Sequence, residues 1–104
     1  MGRTIQNRDC LCRQNLIEEA SGLLGDLANP ERLQIVALLH EMGEMHVNEM
    51  VETLGANRAS LSRQLGRLRE QSMVSTRRKH NRIYYALCHV KAAELIKTIG
   101  SVMS

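Results

Sequence analysis

Residues 54–70, LGANRASLSRQLGRLRE, decide the fold. Gly55 stops one helix, and Asn57 is a good N-cap for the next. Leu61, Leu65 and Leu68 then recur at i, i+4 and i+7, the spacing of one buried helical stripe. Two helices joined by little more than Gly55-Ala56 have helix-turn-helix spacing. With the leucines turned inward, roughly 100° of rotation per residue puts Arg58, Ala59, Ser62, Arg63 and Gly66 on the outer half. Small groups at Ala59 and Gly66 let a helix sit deep in a major groove, where Arg pairs two acceptors on guanine. An interior glycine costs about 1 kcal/mol relative to alanine, so Gly66 points to close approach of a partner. The expected DNA contacts from this helix are Asn57, Arg58, Ala59, Ser62, Arg63 and Gln64, with Arg67 flanking on phosphate.

The charge distribution agrees. Between Asn57 and Arg82 lie Arg58, Arg63, Arg67, Arg69, Arg77, Arg78, Lys79 and Arg82, opposed by Glu70 alone. That window carries a net +7, while six basic and ten acidic residues elsewhere leave −4, within a chain total of +3. A cationic face on an acidic body is the footprint of a phosphate-bearing partner. A solvated basic helix beside an unrelated basic loop would show the same charge count, so the residue pattern decides between them.

Working outward, Asn29-Pro30 reads as an N-cap and first helical residue, opening a helix that Gly43 ends. Before it, apolar residues from about Leu11 to Leu27 recur at helical spacing. A short third helix is expected around Asn48–Leu54. After Gln71 the period changes from 3.6 to 2. Residues 73–77 and 82–87 read as strands, with Lys79-His80-Asn81 as a charged hairpin tip. There Arg77, Arg78, Lys79 and Arg82 form a second set of expected DNA contacts, positioning the protein on the backbone. A last helix follows Cys88-His89. The expected fold is mainly α with a two-stranded β wing, in the order ααααββα. Residues 1–9 are expected to be a flexible tail, and residues 10–104 one winged helix-turn-helix domain.

At 104 residues there is room for one core. With no Trp or Phe it must be aliphatic, and the three cysteines imply no disulfide framework. No apolar run approaches the ~18 residues of a membrane span and no signal-type segment opens the chain. A cytoplasmic protein without a membrane partner is expected. A nucleophile–base constellation and a glycine-rich phosphate loop are both lacking, which argues against an enzyme.

Three motifs in order, LANPERLQIVALL (27–39), LGANRASLSRQLGRLRE (54–70) and MVSTRRKHNRIYYAL (73–87), resemble the ArsR/SmtB family of winged helix-turn-helix repressors. The likeness covers about 60 residues and departs from the common family pattern at Asn57, Arg58, Arg63 and Gln64. It implies a homodimer held by the first and last helices, bound to palindromic double-stranded DNA. The residues are compatible: Leu16, Leu23, Leu24 and Leu27, with Leu95, Ile96, Ile99 and Met103, are many apolar groups for terminal helices. Burial contributes roughly 1.5–3 kcal/mol for each such side chain.

The resemblance also implies release of DNA by a metal, metalloid or oxidant, but the family's ligand sets fit poorly. His46 and Asn48 stand where the third-helix cysteines would be, only His89 lies near a last-helix zinc position, and Ala37 replaces the second-helix cysteine of the persulfide-sensing branch. Cys10-x-Cys12 remains, with His46 or Cys88 as a third ligand, a donor set suited to zinc, cadmium or arsenite as inducer. No resident cofactor is required. Thiol oxidation and two incidental thiols are the alternatives, and Cys88 by itself reads as a small buried residue at a strand end. The functional expectation is a sequence-specific repressor that a thiophilic ion releases. A regulator controlled by oxidation or lacking an effector, and a basic protein-interaction module, stand beside it.

Overall fold

The computed structural model describes residues 14–104. The expectations for residues 1–9, Cys10 and Cys12 lie outside the described residues. The elements are α1 (Gln14–Leu27), α2 (Pro30–Met42), β1 (Glu44–His46), α3 (Val47–Leu54), α4 (Arg58–Glu70), β2 (Val74–Lys79), β3 (Arg82–Leu87) and α5 (Val90–Met103).

Local chemistry accounts for the boundaries. The Asn29 side chain accepts the Arg32 amide at 3.1 Å and Pro30 opens α2. Gly43, at φ 88°, turns the chain away at its end. Asn57 caps α4 by accepting the Ser60 amide at 3.0 Å. Ser72 closes the same helix in the left-handed region, letting the Met73 amide reach the Leu68 carbonyl at 2.9 Å. His80 and Asn81, both at positive φ between the paired Lys79 and Arg82, make the two-residue turn that suits a twisted hairpin.

The sheet departs from expectation. It has three antiparallel strands in the order β1-β3-β2, so the order of elements is ααβααββα. The unforeseen β1 pairs Glu44 with Ala86, Met45 with Tyr85 and His46 with Tyr84. Its pattern is half-buried, buried, half-buried, and Met45 anchors it in the core. Three residues are too few to show a period in sequence.

The core is aliphatic and thioether throughout. Ile35, Val36 and Leu39 of α2 meet Met50 of α3, Leu61, Leu65 and Leu68 of α4, and Met73 and Val74 at the start of the wing. Of the apolar groups expected at a dimer face, Leu27 joins this core, and Leu23, Leu95 and Ile96 pack against it. Leu24, Ile99 and Met103 remain exposed, together with Ile17 and Val102. Among the described residues, no helix is long and apolar enough to cross a membrane.

Candidate nucleic-acid interface

The three buried leucines fix the rotation of α4. Arg58, Ala59, Ser62, Arg63, Gly66 and Arg67 are all exposed, and the cap residue Asn57 is exposed beside them. A methyl group added at Gly66 would meet nothing within 4 Å. Packing inside the chain therefore does not demand this glycine, and its surface is open to a partner.

Gln64 is the exception among the expected contacts. It is buried on the inner side of α4, where its Oε1 accepts a hydrogen bond from Arg32 Nη1 at 3.1 Å. It faces the scaffold rather than the outward surface. The stripe itself carried the signal, since Gln64 lies three residues after Leu61 and four before Leu68.

Pairing in the wing sorts its cations by face. Val74 opposes Leu87, Thr76 opposes Tyr85 and Arg78 opposes Ile83, so these share one side of the hairpin. Arg77, Lys79, Arg82 and Tyr84 occupy the other. Arg58 from α4 meets Arg78 and Arg82 from the wing along one cleft of about 330 Å³, which Asn48 and Asn81 also line. Arg58 donates to the Asn48 side chain, which holds it at this edge. Basic groups from two successive elements thus converge on one surface. On the other flank of α4, Arg63 and Arg67 line a second groove with Arg32 and Asp26.

Arg77 plays a different part from its neighbours. Its Nε and Nη2 donate to the two oxygens of Glu44 at 2.8 and 2.7 Å. These hydrogen bonds, with the charge attraction behind them, hold the Glu44 carboxyl below the ordinary carboxylate range. The same bonds raise Arg77 above its usual value. The pair reaches across β3 over the small Ala86 and ties β1 to β2. Its charge is committed to the sheet, which leaves Arg78 and Lys79 as the wing's unengaged cations, with Arg82 lying 2.9 Å from His46 Nε2. Nothing near Arg77 in sequence announces Glu44, which arrives only through the three-stranded pairing.

The described residues do not assemble a metal centre. No three His, Cys, Asp or Glu side chains among them lie close enough to hold an ion. His46 Nδ1 lies 3.4 Å from the Glu49 amide that it caps, and its Nε2 lies 2.9 Å from Arg82 Nη1. An ion at His46 would displace one of these contacts. Cys88 is exposed, not the buried strand-end residue expected, and its thiol donates to the Ser72 carbonyl at 3.5 Å. His46 pairs with Tyr84, whereas Cys88 lies just past the end of β3, four residues or about 13 Å farther along the strand direction. At most one of the two can join Cys10 and Cys12 in a single site. His89 uses its Nδ1 to accept the Ala92 amide at 3.0 Å and cap α5.

Comparison with known proteins gives a consistent answer. Residues 29–76 match the bacterial regulatory protein, arsR family. The biofilm growth-associated repressor of Xylella fastidiosa is 40% identical over 84 residues, covering 81% of this chain and 73% of that protein. The crystal structure of the transcriptional repressor BigR from Xylella fastidiosa superposes with a TM-score of 0.82 at 37% identity, covering 88% of this chain and 92% of that one. The transcriptional regulator HlyU from Vibrio vulnificus CMCP6 gives a TM-score of 0.82 at 32% identity, over 88% and 94% of the two chains.

Proposed function

This chain belongs to the arsR family of bacterial regulatory proteins, and from that membership we propose that it is a homodimeric repressor reading a palindromic operator. In this reading the exposed face of α4 enters the major groove. Arg58 and Arg63 read base edges there, with Ala59, Ser62 and Gly66 keeping the approach close. Arg67, Arg78, Lys79 and Arg82 hold phosphates. The observation that carries the reading is the cleft in which Arg58 of α4 meets Arg78 and Arg82 of the wing.

The dimer is supported by what α1 and α5 leave uncovered. Ile17 and Leu24 on α1, and Ile99, Val102 and Met103 on α5, are apolar side chains between 36% and 79% exposed. A second copy that covers them brings two recognition helices to half-sites about one DNA turn apart. Titrating the protein onto its own promoter tests this reading. Binding should require a two-fold repeat and weaken steeply with salt, each neutralised phosphate adding about −0.9 to the logarithmic slope. Absence of a shift on any promoter fragment at low salt would sink it. A protein-docking module would instead show Arg63→Ala weakening a protein partner with no effect on DNA.

For release, we propose a thiophilic ion such as zinc, cadmium or arsenite at Cys10 and Cys12, completed by either His46 or Cys88. The exposed Cys88 thiol supports a second reading, release through thiol oxidation. Titrating the operator-bound protein with each ion and with a peroxide separates the two. A Cys10→Ser/Cys12→Ser variant that answers every inducer like the unaltered chain would remove both thiols from the account.

A further inference from the structure

Among the described residues, the buried polar side chain is Gln64, and it belongs to the helix proposed to read DNA. Its partner comes from elsewhere. Arg32, in the first turn of α2, donates through Nη1 to Gln64 Oε1 at 3.1 Å. Through Nε it donates to the main-chain oxygen of Asp26 at 2.6 Å, and Asp26 lies in the last turn of α1. A guanidinium presents its donors in a rigid plane, so one side chain fixes the end of α1 and the middle of α4 relative to each other.

We propose that Arg32 is a positioning residue for operator reading, setting the rotation and depth of α4 through Gln64. The inference rests on the operator-binding reading above and names the part of the scaffold that makes it selective. Leu61, Leu65 and Leu68 hold α4 by burial, which is non-directional and tolerates small slides and rotations. A hydrogen bond is directional and weakens steeply off axis. Arg63 is the residue next to Gln64, so rotation of α4 moves its guanidinium directly against the base edges. Arg32, Arg63 and Arg67 also line one groove. The strut lies beside the reading surface without being part of it. Base readout depends on placement within about 0.5 Å, whereas phosphate attraction is long-ranged and forgiving. The strut therefore bears on sequence discrimination more than on affinity for DNA in general.

The test uses the full chain and its promoter palindrome, with an unrelated duplex beside it. Gln64→Leu and Arg32→Met should each lower operator affinity about tenfold, the size of a coupling between contacting side chains. Combining them should cost little more than either alone. Affinity for the unrelated duplex should change by less than about twofold, since the phosphate contacts are untouched. Arg32→Lys, which keeps the charge and loses the fork, should behave like Arg32→Met. Gln64→Glu, which keeps an acceptor for Arg32, should recover most of what Gln64→Leu loses and guards against misfolding as the cause. The proposal is overturned by unchanged operator binding, by fully additive losses, or by equal losses on both duplexes. If the unaltered protein shows no preference for its palindrome, the operator reading fails before the strut is reached.

Discussion

On α4, the side chains of Arg63, Arg67 and Arg69 are exposed and make no hydrogen bond or ion pair among the described residues, whereas on the wing Arg77 is clamped by both oxygens of Glu44 and Arg82 lies against His46 Nε2. The two regions carry the same kind of charge for different ends. The helix is rigid through its backbone ladder and buried stripe, so three of its four arginines are left free for a ligand, while Arg58 donates to Asn48. A two-stranded hairpin is marginally stable by itself. The wing commits part of its charge to β1, and the result is a firm arm with fewer free cations. Discrimination is therefore expected from the helix, and anchorage from the wing.

The largest effect belongs to the helix. Arg63→Ala should cost about 1–3 kcal/mol of discrimination between the operator and a single-base variant, roughly fivefold to 150-fold. Competition titrations with matched duplexes measure it. Equal weakening on all sequences would reassign Arg63 to phosphate and blur the contrast. A smaller, uniform effect is expected from Arg78→Ala. All duplexes should bind more weakly, and the slope of log affinity against log salt should fall by about one. A change in sequence preference would show that the wing also reads bases.

The smallest effect concerns the clamp. In the folded chain the Glu44 carboxyl is held below its ordinary value by Arg77. The stabilisation this gives is complete above the unfolded carboxylate value, about 4.3, and is lost as pH falls through the lower folded value. Glu44→Gln should therefore be less stable than the unaltered chain at neutral pH and indistinguishable from it in strong acid. Thermal unfolding followed from neutral pH downward shows whether the two curves converge. A gap that persists at low pH would mean that Glu44 acts through packing and not through its charge.

Much of this was legible in sequence because it is local. Asn29-Pro30, Gly43, Gly55 and Asn57 each act within a few residues, through caps and turns, and the helices begin and end beside them. The leucine stripe likewise sets which arginines face outward. Long-range features were hidden. β1 exists because Met45 fills the core opposite Tyr85, forty residues away, and the Glu44–Arg77 clamp exists because of β1. His46 caps α3 where a Ser, Thr, Asp or Asn would have been recognised. The inward turn of Gln64 could have been read from the wheel. Its Arg32 partner could not, since that contact depends on how α2 crosses α4.

The most direct test of a single surface built from helix and wing is a hydroxyl-radical footprint of the protein on the promoter palindrome proposed for it. Two protected segments one turn apart should appear, each flanked by weaker protection that Arg78→Ala erases while the central segments remain. Protection confined to the central segments, or flanks that survive the loss of Arg78, would contradict the convergence of the two elements on one duplex.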